Sequence, residues 1–244
     1  LMDGKILILF YQTVSTSAQN ECTVLGKLYN EDMTDYSGNQ FEINTFTDSF
    51  YTPVTGVSVT MDMLQCKPLK KGGFVVCFQE MGINETSGRI YIRYYNANYI
   101  ASPVITFDPE DMATSGGPLA AAKGMHLSSS SLCTTRDGGF LIVYGKWGTS
   151  SKYCKKFPYS LNATNTTPTT TVKIDDVDDN DSDVINFSYD NDNKYTPGAL
   201  ELPNGNIMFY WVTTAGLSTS NLQSVCYWKL YDSDITELSV NQHH

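Results

Sequence analysis

Arg136-Asp137-Gly138-Gly139-Phe140-Leu141-Ile142-Val143-Tyr144 reads as a tight turn that feeds a continuous apolar strand. The same pattern stands at Met2-Asp3-Gly4-Lys5-Ile6-Leu7-Ile8-Leu9-Phe10, at Lys71-Gly72-Gly73-Phe74-Val75-Val76-Cys77-Phe78 and at Pro203-Asn204-Gly205-Asn206-Ile207-Met208-Phe209-Tyr210-Trp211. The aligned glycines Gly4, Gly72, Gly138 and Gly205 are separated by 68, 66 and 67 residues. So constant a period marks one supersecondary unit copied in tandem. The pairs Asp3-Gly4, Asp137-Gly138 and Asn204-Gly205 predict two-residue hairpin loops with positive φ at both central positions. Lys71-Gly72 is the odd member, because lysine tolerates that backbone poorly.

Each apolar run is long enough, and unbroken enough, for a strand buried on both faces. An alternating strand follows in each copy: Thr23–Tyr29, Arg89–Tyr95, Lys152–Phe157 and Val225–Tyr231. A basic residue recurs near its end, at Lys27, Arg93, Lys156 and Lys229, which predicts an edge strand guarded by charge. Phe41–Phe46 and Val57–Met61 leave room for two further strands per copy. The expected fold is all-β and β-propeller-like, about four tandem four-stranded repeats of ~67 residues, with tandem β-sandwiches as the alternative. The expected units are 1–34, 35–100, 101–160 and 161–234 within a single repeat domain, 1–242. A strand over 235–241 either closes a ring by completing the first unit or leaves open edges for a neighbour. His243 and His244 are set aside as a possible tag remnant.

The repeat resembles one found in very large secreted surface proteins. In that family a Leu-x-Asp-Gly-Gly-Phe-x-Val-x-Trp strand precedes a Gly-x-x-Ile-x-x-Arg-x-Tyr strand, often near haemolysin-type calcium-binding segments. Leu69–Gln79 followed by Ser87–Asn96 carries the likeness most fully, and Phe41–Thr45 is similar to the linker strand. The resemblance implies an extracellular propeller-like repeat and brings no catalytic residues.

The chain has 244 residues and a formal net charge of −10. That acidity argues against nucleic-acid binding, which needs a basic footprint. No apolar run is long enough for a membrane span. Five Asn-x-Ser/Thr sequons, at Asn84, Asn162, Asn165, Asn180 and Asn186, predict N-linked glycans and a secreted or cell-surface protein. The six cysteines predict disulfides. Cys66 and Cys77 lie symmetrically about the Lys71-Gly72 turn and are the preferred pair. Of the three pairings left to the others, Cys133–Cys154 and Cys22–Cys226 are favoured.

The run from Asp175 to Asp183 places Asp176, Asp178 and Asn180 like the first ligands of a calcium loop. A distal bidentate glutamate is missing, so a solvated acidic loop is the competing reading. Thr135–Phe140 only faintly echoes a sialidase turn, and Arg89, Arg93 and Arg136 are too few for its arginine cluster. His126 is the only internal histidine and there is no nucleophile elbow, so a hydrolase triad has no basis. Aromatics at Tyr29, Tyr94, Tyr95, Trp228 and Tyr231 are expected to pack in the core, with stacking on sugar rings or a partner subunit as the alternative. The leading expectation is not an enzyme but a structural extracellular glycoprotein that assembles with copies of itself. An adhesin or lectin-like carbohydrate-binding module comes second, and a glycan-active enzyme third.

Overall fold

The four glycine turns each open a different antiparallel sheet. The computed structural model describes residues 1–15, 20–38, 40–47, 60–81, 88–107, 125–126, 131–146, 152–159, 168, 170–174, 197–215, 223–238 and 242–243. Within them the chain is all-β, without helix. The first sheet runs β1 (Ile6–Ser15), β2 (Asn20–Tyr29), β3 (Phe41–Thr47). The second runs β4 (Thr60–Pro68), β5 (Phe74–Met81), β6 (Gly88–Tyr95), β7 (Ile105–Phe107). In the third, β8 (Met125–His126) and β9 (Leu132–Thr134) both pair with β10 (Phe140–Lys146), followed by β11 (Lys152–Phe157) and β12 (Thr170–Lys173). The fourth runs β13 (Gly198–Glu201), β14 (Ile207–Ala215), β15 (Gln223–Tyr231), β16 (Gln242–His243). His243 thus stands opposite Tyr227 in a ladder.

The turns are not the two-residue type expected. Gly4, Gly72, Gly138 and Gly205 have φ of 81°, 94°, 92° and 92°, whereas Asp3, Lys71, Asp137 and Asn204 do not share the left-handed region. Each glycine N–H donates to the carbonyl three residues back, at Leu1, Leu69, Thr135 and Leu202. This is a type I turn closed by a left-handed glycine, the three-residue hairpin loop. Lys71 therefore carries no strain. Where the residue is Asp or Asn, its side-chain oxygen accepts an N–H two residues on: Lys5 at 3.3 Å, Gly139 at 3.0 Å and Asn206 at 3.0 Å.

A second turn recurs after β2, β6 and β15. Asn30, Asn96 and Asp232 open it, and Met33, Tyr99 and Ile235 occupy its left-handed position at φ 65°, 59° and 65°. Bulky side chains are rare there. Packing holds two of the three: Ile235 is buried among the third and fourth sheets, and Tyr99 packs against the layer between the first and second, whereas Met33 is exposed. The turn ends in an isolated bridge, Tyr29 to Asp35, Tyr95 to Ala101 and Tyr231 to Glu237. The described part of 235–241 thus bridges within the fourth sheet; residues 239–241 lie outside the described residues.

The sheets stack face to face through three apolar layers. Along β5 the side chains of Phe74, Val76 and Phe78 enter a layer with Val24, Leu28 and Ile43 of the first sheet. Val75 and Cys77 enter a second layer with Phe140, Ile142 and Tyr144 of β10. Leu141 and Val143 enter a third with Ile207, Phe209 and Trp211 of β14. Period-2 alternation in a strand with no polar face demands this arrangement. The strands β2, β6, β11 and β15 are interior, each paired on both sides, so the expected edge position is corrected.

Two glycines test the turn geometry. A Cβ at Gly73 would lie 2.0 Å from the Tyr95 carbonyl oxygen, while one at Gly38, also left-handed, would meet nothing within 4 Å. Gly38→Ala is expected to cost about 1 kcal/mol of backbone strain. Gly73→Ala adds a backbone clash and should cost roughly 2 kcal/mol or more. Urea unfolding of both variants checks the difference, and equal losses would refute this account of Gly73.

Candidate interaction faces

Strand register defines two classes of sheet face. Call the face bearing Phe74, Val76 and Phe78 on β5 the leading face; it meets the preceding sheet. Its equivalents are Phe140, Ile142 and Tyr144 on β10 and Ile207, Phe209 and Trp211 on β14. The trailing face bears Val75 and Cys77, or Leu141 and Val143, and meets the following sheet. In the first sheet the trailing residues Leu7 and Leu9 pack against the second sheet. Its leading residues Ile6, Ile8 and Phe10 join none of the three described layers: Ile6 is 36% and Ile8 41% exposed, whereas Phe10 is half-buried and Leu25 opposite it is buried. In the fourth sheet the trailing residues Met208 and Tyr210 are half-buried, beside half-buried Leu230 and Trp228 on β15 and Leu200 on β13 at 49% exposure. Among the described residues, the stack therefore ends in a mainly apolar face on each side, with Lys27 in that of the first sheet.

The row of basic residues belongs to the leading faces. Ladder pairing aligns Lys27 opposite Ile8, Arg93 opposite Val76, Lys155 opposite Ile142 and Lys229 opposite Phe209. Lys155, not the expected Lys156, is the member in the third sheet. Arg93 shows what the position does. Its guanidinium donates to the carbonyls of Glu42 at 3.3 Å and Ile43 at 2.6 Å on β3 of the preceding sheet. Lys27 turns instead to Asp35 of its own sheet, at 2.7 Å. Hydrogen bonding to Lys27 holds the Asp35 carboxyl below its ordinary value.

The glycine turns line one end of the stack and touch in sequence. The Lys71 side chain lies over Gly138, and the Arg136 side chain over Gly205. Arg136 also donates to the Leu202 and Pro203 carbonyls. Burial raises the Asp137 carboxyl, but hydrogen bonds from Thr135, Lys156 and the Gly139 N–H outweigh it and hold it below the usual range. The sialidase-like stretch is thus a structural turn. At the same end Tyr99 donates to the Asp3 carboxylate, and the Lys5 ammonium sits 4.3 Å over the half-exposed Tyr36 ring.

The aromatics weighed for stacking divide. Tyr94, Tyr95 and Tyr231 are buried, whereas Tyr29 and Trp228 are half-buried on the two end faces. The calcium candidates Asp176, Asp178 and Asn180 lie outside the described residues. So do all five sequons, Asn84, Asn162, Asn165, Asn180 and Asn186. Among the described residues no three His, Cys, Asp or Glu side chains gather as a metal site, and no helix is long and apolar enough to cross a membrane.

The cysteines require correction. Cys66, Cys77, Cys133 and Cys154 are free thiols. Cys66 pairs with Val76 and Cys77 with Gln65, so the two point to opposite faces of the second sheet, into different apolar layers. Cys133 and Cys154 share a layer but flank β10 on either side. Two strand spacings of roughly 4.8 Å put their backbones beyond disulfide reach. The side chains of Cys22 and Cys226 lie outside the described residues.

No protein-family model matches the chain, and no curated protein is significantly similar to it.

The buried thiols carry a pH signature. Burial pushes the Cys66 thiol up to about 12 and raises Cys77 and Cys154 further. In the unfolded chain they ionise near pH 8.5, roughly. Their contribution is complete below that pH and is lost as pH rises toward the folded values, because only the unfolded state gains by releasing protons. Stability measured between pH 8 and 11 should fall, and serine at Cys77 should flatten the fall. Alkylation in denaturant without reductant should label all four positions; protection of Cys66 and Cys77 as a pair would overturn the assignment.

Proposed function

We propose that the chain is a run of propeller-type sheets from an extracellular structural glycoprotein that assembles with neighbouring subunits into a surface layer, matrix or fibre. One observation carries the reading: among the described residues the stack leaves a mainly apolar sheet face at both of its ends, although its interior sheets are covered on both sides. Uncovered apolar faces of this kind mark interaction sites. Tandem repetition of a unit that cannot bury its own faces alone supports the same conclusion. The extracellular part rests on the sequons, and the thiols lend it no support.

A second reading, a carbohydrate-binding module, is favoured by the turn end. There a half-exposed Tyr36 ring stands 5.9 Å from Tyr99, beside the Asp3 carboxylate and the Lys5 ammonium. An aromatic platform with polar groups at its rim suits a sugar ring. In that case calorimetry with a panel of monosaccharides gives saturable heat that Tyr36→Ala abolishes.

Electron microscopy of untagged, glycosylated protein tests the leading reading. Ordered filaments or arrays are expected. Discrete single particles at all concentrations would overturn it.

A further inference from the structure

We infer that two copies of this chain join head to tail, the leading face of the first sheet of one copy stacking on the trailing face of the fourth sheet of the next. The inference rests on the assembly reading and names its interface.

The argument starts from the three layers already formed. In each, the upstream sheet supplies the trailing set and the downstream sheet the leading set: Leu7 and Leu9 against Phe74, Val76 and Phe78; Val75 and Cys77 against Phe140, Ile142 and Tyr144; Leu141 and Val143 against Ile207, Phe209 and Trp211. Two sets remain. They are one leading set, Ile6, Ile8 and Phe10, and one trailing set, Met208 and Tyr210. They are therefore the two halves of a fourth layer of the same kind, divided between the ends of the stack.

Both halves keep the residue classes of the covered layers. Across the first sheet, Ile6 stands opposite Tyr29 and Phe10 opposite Leu25. The corresponding covered pairs are Phe74 with Tyr95 and Phe78 with Tyr91, whose rings stack. Across the fourth sheet, Leu200, Met208 and Leu230 form one apolar row, and Tyr210 with Trp228 forms the next. A face meant for water would carry polar residues at alternate positions; here Ile, Phe, Leu, Met, Tyr and Trp predominate, although Lys27 and the exposed Glu42 also lie on the leading face of the first sheet. Lys27 occupies the station from which Arg93 reaches back to carbonyls of the preceding sheet. It is thus placed to do the same toward the last strand of a second copy.

A contact between two unlike faces is heterologous, so it leaves one leading and one trailing face free after every addition. It extends to a filament, or closes into a ring if the rotation per copy allows. Pairing of two leading faces would instead stop at a dimer.

Sedimentation velocity on the 244-residue chain separates these cases. Wild type should form a concentration-dependent series of oligomers. Ile8→Lys and Tyr210→Lys each block one face, and each should weaken self-association at least tenfold. Mixed one to one, the two variants should form a dimer and stop, because each retains the face the other lacks. Ile6→Lys with Leu200→Lys repeats the test at better-exposed positions, and circular dichroism checks that all four remain folded. A monomeric wild type, loss of association with only one of the two faces changed, or no dimer in either mixture would overturn the inference. Ordered arrays that survive all four substitutions would overturn this interface and leave the assembly reading standing. A dimer in the mixture, with only small closed rings from wild type, would uphold the interface and overturn the layer or fibre.

Discussion

Burial of the central strand on both faces is the constraint from which the rest of the architecture follows. Phe74 to Phe78 of β5 and Phe140 to Val143 of β10 are closed to solvent on either side. Such a strand has no polar face to offer water, so its sheet is stable only between two others. Each sheet then needs a successor, and the successor needs another. The stack behaves as a one-dimensional array in which each unit is held by its neighbours. An array of this kind leaves an uncovered face at each end wherever a cap is lacking.

Apolar layers alone would let the sheets slide; polar links fix their register. Gln65 Oε1 accepts the Leu132 N–H at 3.3 Å, and Ser131 Oγ donates to the Pro197 carbonyl at 3.4 Å, one link between the second and third sheets and one between the third and fourth. Tyr231 Oη donates back to the Ile174 carbonyl at 3.3 Å. Lys156 donates to the Ser233 carbonyl at 2.6 Å and pairs with Asp137 at 2.9 Å. Lys152, buried, holds its ammonium 5.1 Å from the Trp211 ring. The bonds that cross between sheets would be lost if the sheets shifted by one residue, and an unpartnered buried polar group is costly. Directional bonds thus select one stacking out of many that would bury similar area.

The hairpins were legible in the sequence because everything that makes them is local: a glycine at a fixed station and a β-rich run after it. The turn type was not legible, since Asp-Gly and Asn-Gly serve both the two-residue loop and the three-residue one. Lys71 was the clue, being a poor fit to the first and an ordinary residue in the second. That single residue of difference had consequences. A two-residue loop would set Cys66 opposite Cys77 on one face; the actual loop sets Cys66 opposite Val76 and turns the thiols to opposite faces. The recurrent turn at Met33, Tyr99 and Ile235 escaped notice for another reason. Bulky residues are the last to be expected at positive φ, and only the repeated Tyr-Asn or Tyr-Asp before them gives it away. The end faces could not be read at all, because a strand that covers a neighbour and one that lacks it have the same composition.

Lys27 shows how small the barrier to covering the first sheet is. In the second sheet Arg93 spends its donors on main-chain carbonyls of β3, and the bonds lie in a partly buried seam. In the first sheet the same station holds a lysine turned to Asp35, both side chains partly open to water. An ion pair so placed contributes little to stability and weakens with salt. The apolar side chains beside it contribute far more when covered, about 25 cal/mol for each Å² of apolar surface removed from water. Electrostatics at Lys27 can therefore set the register of an incoming sheet, but cannot keep it away. The leading face of the first sheet thus combines a mainly apolar surface with few polar groups, Lys27 and Glu42 among them.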